Sequence, residues 1–376
     1  MNNASYKFFV QILPCLVVFI YLGCTVERSS GKKVNNKRCL GKYPDGYADK
    51  GSIPAEEEFS EYSPKHRFEK EGKGIIENGR PEIRKRRRAV TDFKNVKYGP
   101  HERNVMDFWK ADSDKPVPVI VFFHGGGFVK GQKRLTRLQE DCLKNGISAV
   151  SADYRFVKSK GIGIREVMYD GARVIQFLRS KEKEWNIDPS RIALSGASAG
   201  GNMSLWLAMH DDLADPESKD PISQFSTRVT CVVAIDSQTS NDINFIRKNI
   251  GGNPSIHRSI PLMYNVETVK ELEEPGILKR MEQFSAINHT SKDDPPIYLN
   301  YHHAPVKGLL PEKTLTFVSI HNAKFGLLLK DKLDSLGVEC KVGYPKNRLK
   351  ESALQFILRH FKIGESLVHS PKTAEK

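Results

Sequence analysis

Arg191-Ile192-Ala193-Leu194-Ser195-Gly196-Ala197-Ser198-Ala199-Gly200-Gly201-Asn202 decides how this chain is read. The apolar run Arg191 to Leu194 predicts a strand, and the segment from Ala199 to His210 predicts a helix. Between them stands G-x-S-x-G, the spacing of a tight strand-to-helix turn. Glycines on both sides let the backbones approach, and the serine Oγ projects above the sheet edge. Ser198 is the candidate nucleophile. The same spacing also fits an ordinary glycine-rich turn, so the weight lies in its surroundings.

Upstream, Phe122-Phe123-His124-Gly125-Gly126-Gly127-Phe128 closes another apolar run, Val117 to Phe123. Acyl transfer passes through a tetrahedral oxyanion. The N–H groups of a glycine loop, with the N–H that follows the nucleophile, suit that charge. Gly126, Gly127 and Ala199 are the candidate donors. His124 in such a loop orients backbone more naturally than it abstracts protons. A phosphate loop is disfavoured, because no Gly-Lys-Ser/Thr ending follows and no G-x-G-x-x-G leads to a ribose-binding acid.

With Asp153-Tyr154-Arg155-Phe156 between them, these motifs resemble the α/β-hydrolases of the lipase and carboxylesterase group that carry an HGGG loop, close to the hormone-sensitive-lipase-like bacterial esterases. Tyr98-Gly99-Pro100-His101 through Asp107-Phe108-Trp109 resembles that family's early strands. The resemblance runs from about Asp92 to Ile363. It implies a mostly parallel sheet with helices on both faces and a helical cap insert, and hydrolysis of carboxylic esters through an acyl-enzyme on Ser198, with no cofactor and no metal.

The periodicity of the chain agrees with that fold. Strands are predicted at Asn95 to Tyr98, Asn104 to Trp109, Val117 to Phe123, Ala149 to Asp153, Thr230 to Ile235, Pro296 to Tyr301 and Gly337 to Tyr344. Helices are predicted at Ile164 to Trp185, Ala199 to His210, Ala323 to Leu336 and Glu351 to Phe361. Alternating strand and helix places ligands at the carboxyl ends of the strands. The domain is expected over residues 92–366, with an insert at about 236–294 above Ser198 and a tail at 367–376.

The net charge of +14 over 376 residues does not point to nucleic acid. Lysine is dispersed, and the one dense cluster, Arg84 to Arg88, sits in a polar extension over residues 25–91 that reads as linker. Residues 1–24 read as a signal peptide: Lys7, then the apolar run Phe8 to Leu22, then Gly23-Cys24. Tyr21-Leu22-Gly23-Cys24 also resembles a lipoprotein box, which makes Cys24 a candidate lipid anchor. The expected location is therefore secreted or periplasmic. Six cysteines show no C-x-x-C spacing or Cys/His cluster. Cys231 and Cys340 are expected as buried thiols.

A serine hydroxyl needs a histidine base, and the base needs an acid. The resemblance implies an acid after the seventh strand and a histidine after the eighth. Here Pro345 to Glu351 enters a helix without any histidine, and His360 lies late in that helix. His302 and His303, at the carboxyl end of the seventh strand, are the candidate displaced bases. His321 is a weaker candidate, at a helix start where a polar cap role is natural. Asp236 is the candidate acid, with Asp242 as an alternative. Two functions stay open: an esterase acting on a small or acylated-sugar ester, and a catalytically degenerate binding protein.

Overall fold

The computed structural model describes residues 90–364 apart from 255, 256 and 258, all within the unit Ile83–Lys376. The expected signal segment, Cys24, the Arg84 to Arg88 cluster, nearly all of the extension and the tail at 367–376 lie outside the described residues.

Among the described residues, eight strands form one sheet in the order β1-β2-β4-β3-β5-β6-β7-β8. They are β1 (Phe93–Lys97), β2 (Val105–Trp109), β3 (Val117–Phe123), β4 (Ser148–Ala152), β5 (Ile187–Ala197), β6 (Cys231–Ile235), β7 (Ile297–Asn300) and β8 (Cys340–Gly343). β2 runs antiparallel to β1 and β4, and the remaining pairs are parallel. This is the α/β-hydrolase fold that the motifs implied.

The sheet is covered on both faces, and β3 shows how. All seven of its residues are buried, as expected of a central parallel strand with helices above and below. Val119, Val121 and Phe123 join a cluster with residues of α2 (Ile164–Ser180), α4 (Ala199–Met209) and α9 (Lys324–Ser335). Ile120, pointing the other way, joins residues of α1 (Arg137–Leu143) and α10 (Ala353–His360). Pro118 sits where the pairing with β5 shifts register, so its missing N–H interrupts no regular ladder. Truncating Phe123 to alanine in this packing costs about 3–5 kcal/mol.

The expected helix Ile164 to Trp185 divides at Lys181 into α2 and α3 (Glu182–Trp185), which stops at Asn186 in the left-handed region (φ 54°). Between β6 and β7 run α5 (Ile243–Asn249), α6 (Ser259–Tyr264) and α7 (Pro275–Gln283). A second excursion leads from β7 through α8 (Thr316–Ile320) to α9. Cys142, Cys231 and Cys340 are buried and unpaired. Burial pushes the Cys142 thiol up to about 12 and out of the reactive range. Among the described residues no helix is long and apolar enough to cross a membrane.

Candidate active site

Ser198 occupies the turn between β5 and α4 at φ 50° and ψ −118°. A non-glycine residue there is strained by about 1–3 kcal/mol and persists only where its surroundings hold it. They do so here: the Ser198 amide donates to Ile235 O at 2.8 Å, and the Asn202 amide donates to Ser198 O at 2.8 Å. Glycine is required on either side for close approach. A Cβ on Gly200 would lie 2.0 Å from Phe123 O, and one on Gly196 would lie 2.3 Å from Gly200 C.

The His124 to Gly127 loop leaves β3 beside this turn. A Cβ on Gly125 would lie 2.9 Å from Ala197 O and 3.5 Å from Ser198 Cβ. Gly126 and Gly127 take φ values of 110° and 60°, and Phe128 follows at 60°. His124 supports this backbone from behind: its Nδ1 lies 2.8 Å from Gly125 O, and its ring stacks on Tyr154 with centroids 4.2 Å apart. The Tyr154 hydroxyl donates to His124 O at 2.6 Å. Burial lowers the His124 pKa to about 4, so it is a neutral strut at pH 7. The neighbouring Arg155 grips the buried Asp170 on α2 through Nε and Nη2. His124 and Tyr154 thereby brace the loop.

The side chain that meets Ser198 Oγ is His321, whose Nε2 lies 2.9 Å away. This corrects the expectation placed on His302 and His303. His302 instead turns to Asp236: its amide donates to Oδ1 at 2.8 Å and its Nδ1 lies 2.5 Å from Oδ2. The His303 ring packs edge-on against Phe317, with centroids 5.0 Å apart. The reason is spacing. β7 stands two strands from β5, about 10 Å at the usual separation, and the two histidines that follow it are already engaged, His302 on Asp236 and His303 on Phe317. The chain bridges that gap by leaving β7, forming α8 and returning, so that His321 follows α8 as its cap residue. His303 contributes through its backbone, which pairs with Asn322 and accepts from the Ala323 amide at 3.1 Å. His321 thus sits between two helices rather than at a helix start.

Asp236 ends β6, the strand between β5 and β7, and like Ser198 it holds a strained φ of 49°. Its amide donates to Asn300 O at 2.9 Å. Burial lowers the pKa of His321, the Asp236 charge raises it, and His303 and His302 lower it again. The hydrogen bond to Asp236 raises the pKa of His302 against its partial burial. Asp236 therefore binds His302 directly and acts on His321 through its field. Asp242 caps α5, accepting from the Asn244 amide at 2.8 Å, and His360 turns to Glu339 at 3.2 Å.

A cleft opens at Ser198, lined among others by Gly127, Ala199, Gln238, His257, Met263 and Ile320. Asn202 ties its floor to the insert by donating to Gln238 O at 3.0 Å and Asn241 Oδ1 at 3.1 Å. His257 escaped sequence reasoning altogether. It lies in a segment with no motif, and only the fold brings it to the glycine loop.

Comparison with known proteins places the fold in a family. The BD-FAE family model matches residues 106–304, a little over half of the chain. The chain belongs to the BD-FAE family, an α/β-hydrolase family of esterases. In this BD-FAE member the matched segment contains Ser198, Asp236 and His302, whereas His321 lies beyond it. An esterase of Gibberella moniliformis is 34% identical over 112 residues, covering 29% of this chain and 34% of its own. The probable carboxylic ester hydrolase LipM of Mycobacterium tuberculosis is 25% identical over 211 residues, covering 54% and 46%. The chain thus spans between about a third and a half of the length of these two curated relatives. A truncated carbohydrate esterase from gut microbiota shares the fold with a TM-score of 0.54 at 18% identity, covering 72% of this chain and 96% of that one.

Proposed function

We propose that this BD-FAE protein hydrolyses carboxylic esters through an acyl-enzyme on Ser198, with His321 as the base. The 2.9 Å contact between Ser198 Oγ and His321 Nε2 carries the reading. Ser198 Oγ attacks the ester carbonyl carbon while its proton passes to His321 Nε2. The carbonyl oxygen becomes an oxyanion facing the N–H groups of Gly126, Gly127 and Ala199. When the intermediate collapses, the C–O bond to the alcohol breaks and the alcohol leaves with the proton held by His321. Water then repeats the sequence, giving up a proton to His321, and releases the acid. The lowered pKa of His321 keeps it unprotonated, and so able to accept that proton, at neutral pH. The Asp236 charge stabilises the imidazolium formed in each half-reaction.

The cleft at Ser198 leaves room for only a small group between Phe128, Ile260, Met263 and Ile320, which supports a short acyl group. Likeness in fold to a carbohydrate esterase makes acylated sugars the natural first class of alcohol. The contact at Ser198 favours this reading over a degenerate binding protein, whose main support was the missing histidine after β8. Stoichiometric labelling by a nitrophenyl phosphonate, located by mass spectrometry, tests it together with turnover of nitrophenyl acetate, butyrate and octanoate. Ser198 should carry the label, and kcat/KM should fall with chain length. A label elsewhere, or equal turnover in Ser198→Ala, would overturn it. Export is part of the proposal, supported by the apolar run Phe8 to Leu22. The N-terminal residue of the mature protein, and any lipid on Cys24, checks that part.

A further inference from the structure

His257, in the insert before α6, packs against the glycine loop at Gly127 and lines the same cleft as Ser198. A Cβ on Gly127 would lie 3.2 Å from its Cε1 and 3.8 Å from its Nε2, and both residues line the Ser198 cleft. The other ring nitrogen is engaged. Ser259 Oγ lies 2.6 Å from Nδ1, and the Ser259 amide donates to the same atom at 3.4 Å. An amide can only donate, so Nδ1 is the acceptor and the ring proton resides on Nε2. The edge turned toward Gly127 and the cleft is thus an N–H donor with its tautomer set by Ser259. The ring is neutral at pH 7, because burial lowers its pKa to about 4 with a smaller contribution from His321.

Resting on the hydrolase reading above, we propose that His257 donates its Nε2–H to the acyl oxygen of the ester attacked by Ser198, as a side-chain addition to the backbone oxyanion donors. Two features favour the acyl oxygen over the leaving alcohol. His257 packs on Gly127, itself a candidate oxyanion donor, and a neutral donor suits an atom that gains negative charge without competing with His321 for the proton. A donor of this kind acts mainly on the transition state, so its loss appears in kcat rather than KM.

The test compares wild type, Ser198→Ala, His257→Phe, His257→Gln and Ser259→Ala on nitrophenyl acetate, with the rates of the four proteins that keep Ser198 expressed per site labelled by the phosphonate, so that misfolded protein does not count, and that of Ser198→Ala expressed per mole of folded protein. His257→Phe should lower kcat by about 10- to 100-fold, somewhat less than the loss of a principal oxyanion donor, with KM within about threefold. His257→Gln, which retains an N–H donor, should recover part of the loss. Ser259→Ala should lose about 3- to 10-fold, since the other tautomer then becomes accessible. Inhibition by a trifluoromethyl ketone, whose serine adduct carries an oxyanion, should weaken in parallel with kcat. An unchanged kcat in His257→Phe, or a change confined to KM, overturns this proposal while leaving the hydrolase reading intact. Equal rates in wild type and Ser198→Ala overturn both.

Discussion

On one side of the cleft, Gly125 to Gly127 and Gly196 to Gly200 bring main chains together by leaving out Cβ atoms. On the other, Asp236 after β6 and His302 and His321 on the excursion between β7 and α9 work through side chains, His302 on Asp236 and His321 on Ser198. The first side is short in sequence, contiguous around each motif and intolerant of substitution: a Cβ on Gly200 has nowhere to go but into Phe123 O, 2.0 Å away. The second side is held by backbone pairing at some distance from its chemistry, as where His303 fixes the strand-like segment after His321. A base borne on such an excursion can be moved along the chain, provided that Nε2 still reaches Ser198. The Ser198 turn, built from packed glycines, has no such latitude.

The sharpest way to break this contrast is to remove its two meeting points. Ser198→Ala and His321→Ala should each lower kcat on nitrophenyl acetate by about 10⁴- to 10⁶-fold, and the double variant should be little worse than either single one, because the pair acts as a unit. If His321→Ala stays within tenfold of wild type, the base lies elsewhere. Next comes Gly200→Ala, expected to lose folded protein rather than chemistry. Overpacking against backbone costs about 3 kcal/mol, the upper part of the usual range, and a thermal melt unchanged from wild type would contradict the close approach.

Asp236→Asn probes the second side more gently. Its hydrogen bonds go to His302, so the loss in kcat should be about 10- to 100-fold, well below the roughly 10⁴-fold seen when a directly bonded triad acid is neutralised. Because the Asp236 charge raises the His321 pKa, its removal lets His321 shed its proton at lower pH. The acid limb of the kcat/KM profile should then move down in pH, and a limb that stays in place would argue against this coupling.

The smallest effects belong to the two histidines at the end of β7. His303→Ala should leave kcat within about threefold of wild type, since its role lies in its backbone; a loss approaching that of His321→Ala would reinstate it as a base. His302→Ala should act mainly on stability. Its pKa is raised by Asp236, so the stabilisation is fully present below about pH 6.5 and is lost as pH rises through the raised value. The side chain is 45% exposed, which keeps the difference in melting temperature small. Melts of the two proteins at about pH 6 and pH 9 should diverge at the lower pH and converge at the higher; the reverse order would show that His302 is not held as the cation.

Local pattern carries information only where physics is local. The full burial of β3, the G-x-S-x-G turn and the HGGG loop each follow from a few adjacent residues, because apolar runs and missing Cβ atoms act within one strand or turn. The strands from Val117 to Phe123 and from Thr230 to Ile235 were legible for the same reason. His321 was legible only as a weaker candidate and His257 not at all, since a histidine beside a helix carries no mark of what lies across from it. His302 and His303 drew attention through their place at a strand end, but sheet order puts β6 between them and the nucleophile strand.

By itself, the sequence determined the α/β sheet, the Ser198 turn, the glycine loop and the presence of Asp236 just after β6. Each depends on steric and hydrophobic preferences that neighbouring residues impose on one another. Tertiary structure alone decided that His321 meets Ser198, that His302 occupies Asp236, and that His257 packs on Gly127. Those contacts join residues more than sixty positions apart, and chain closure over such distances is set by strand order and loop return rather than by any local preference.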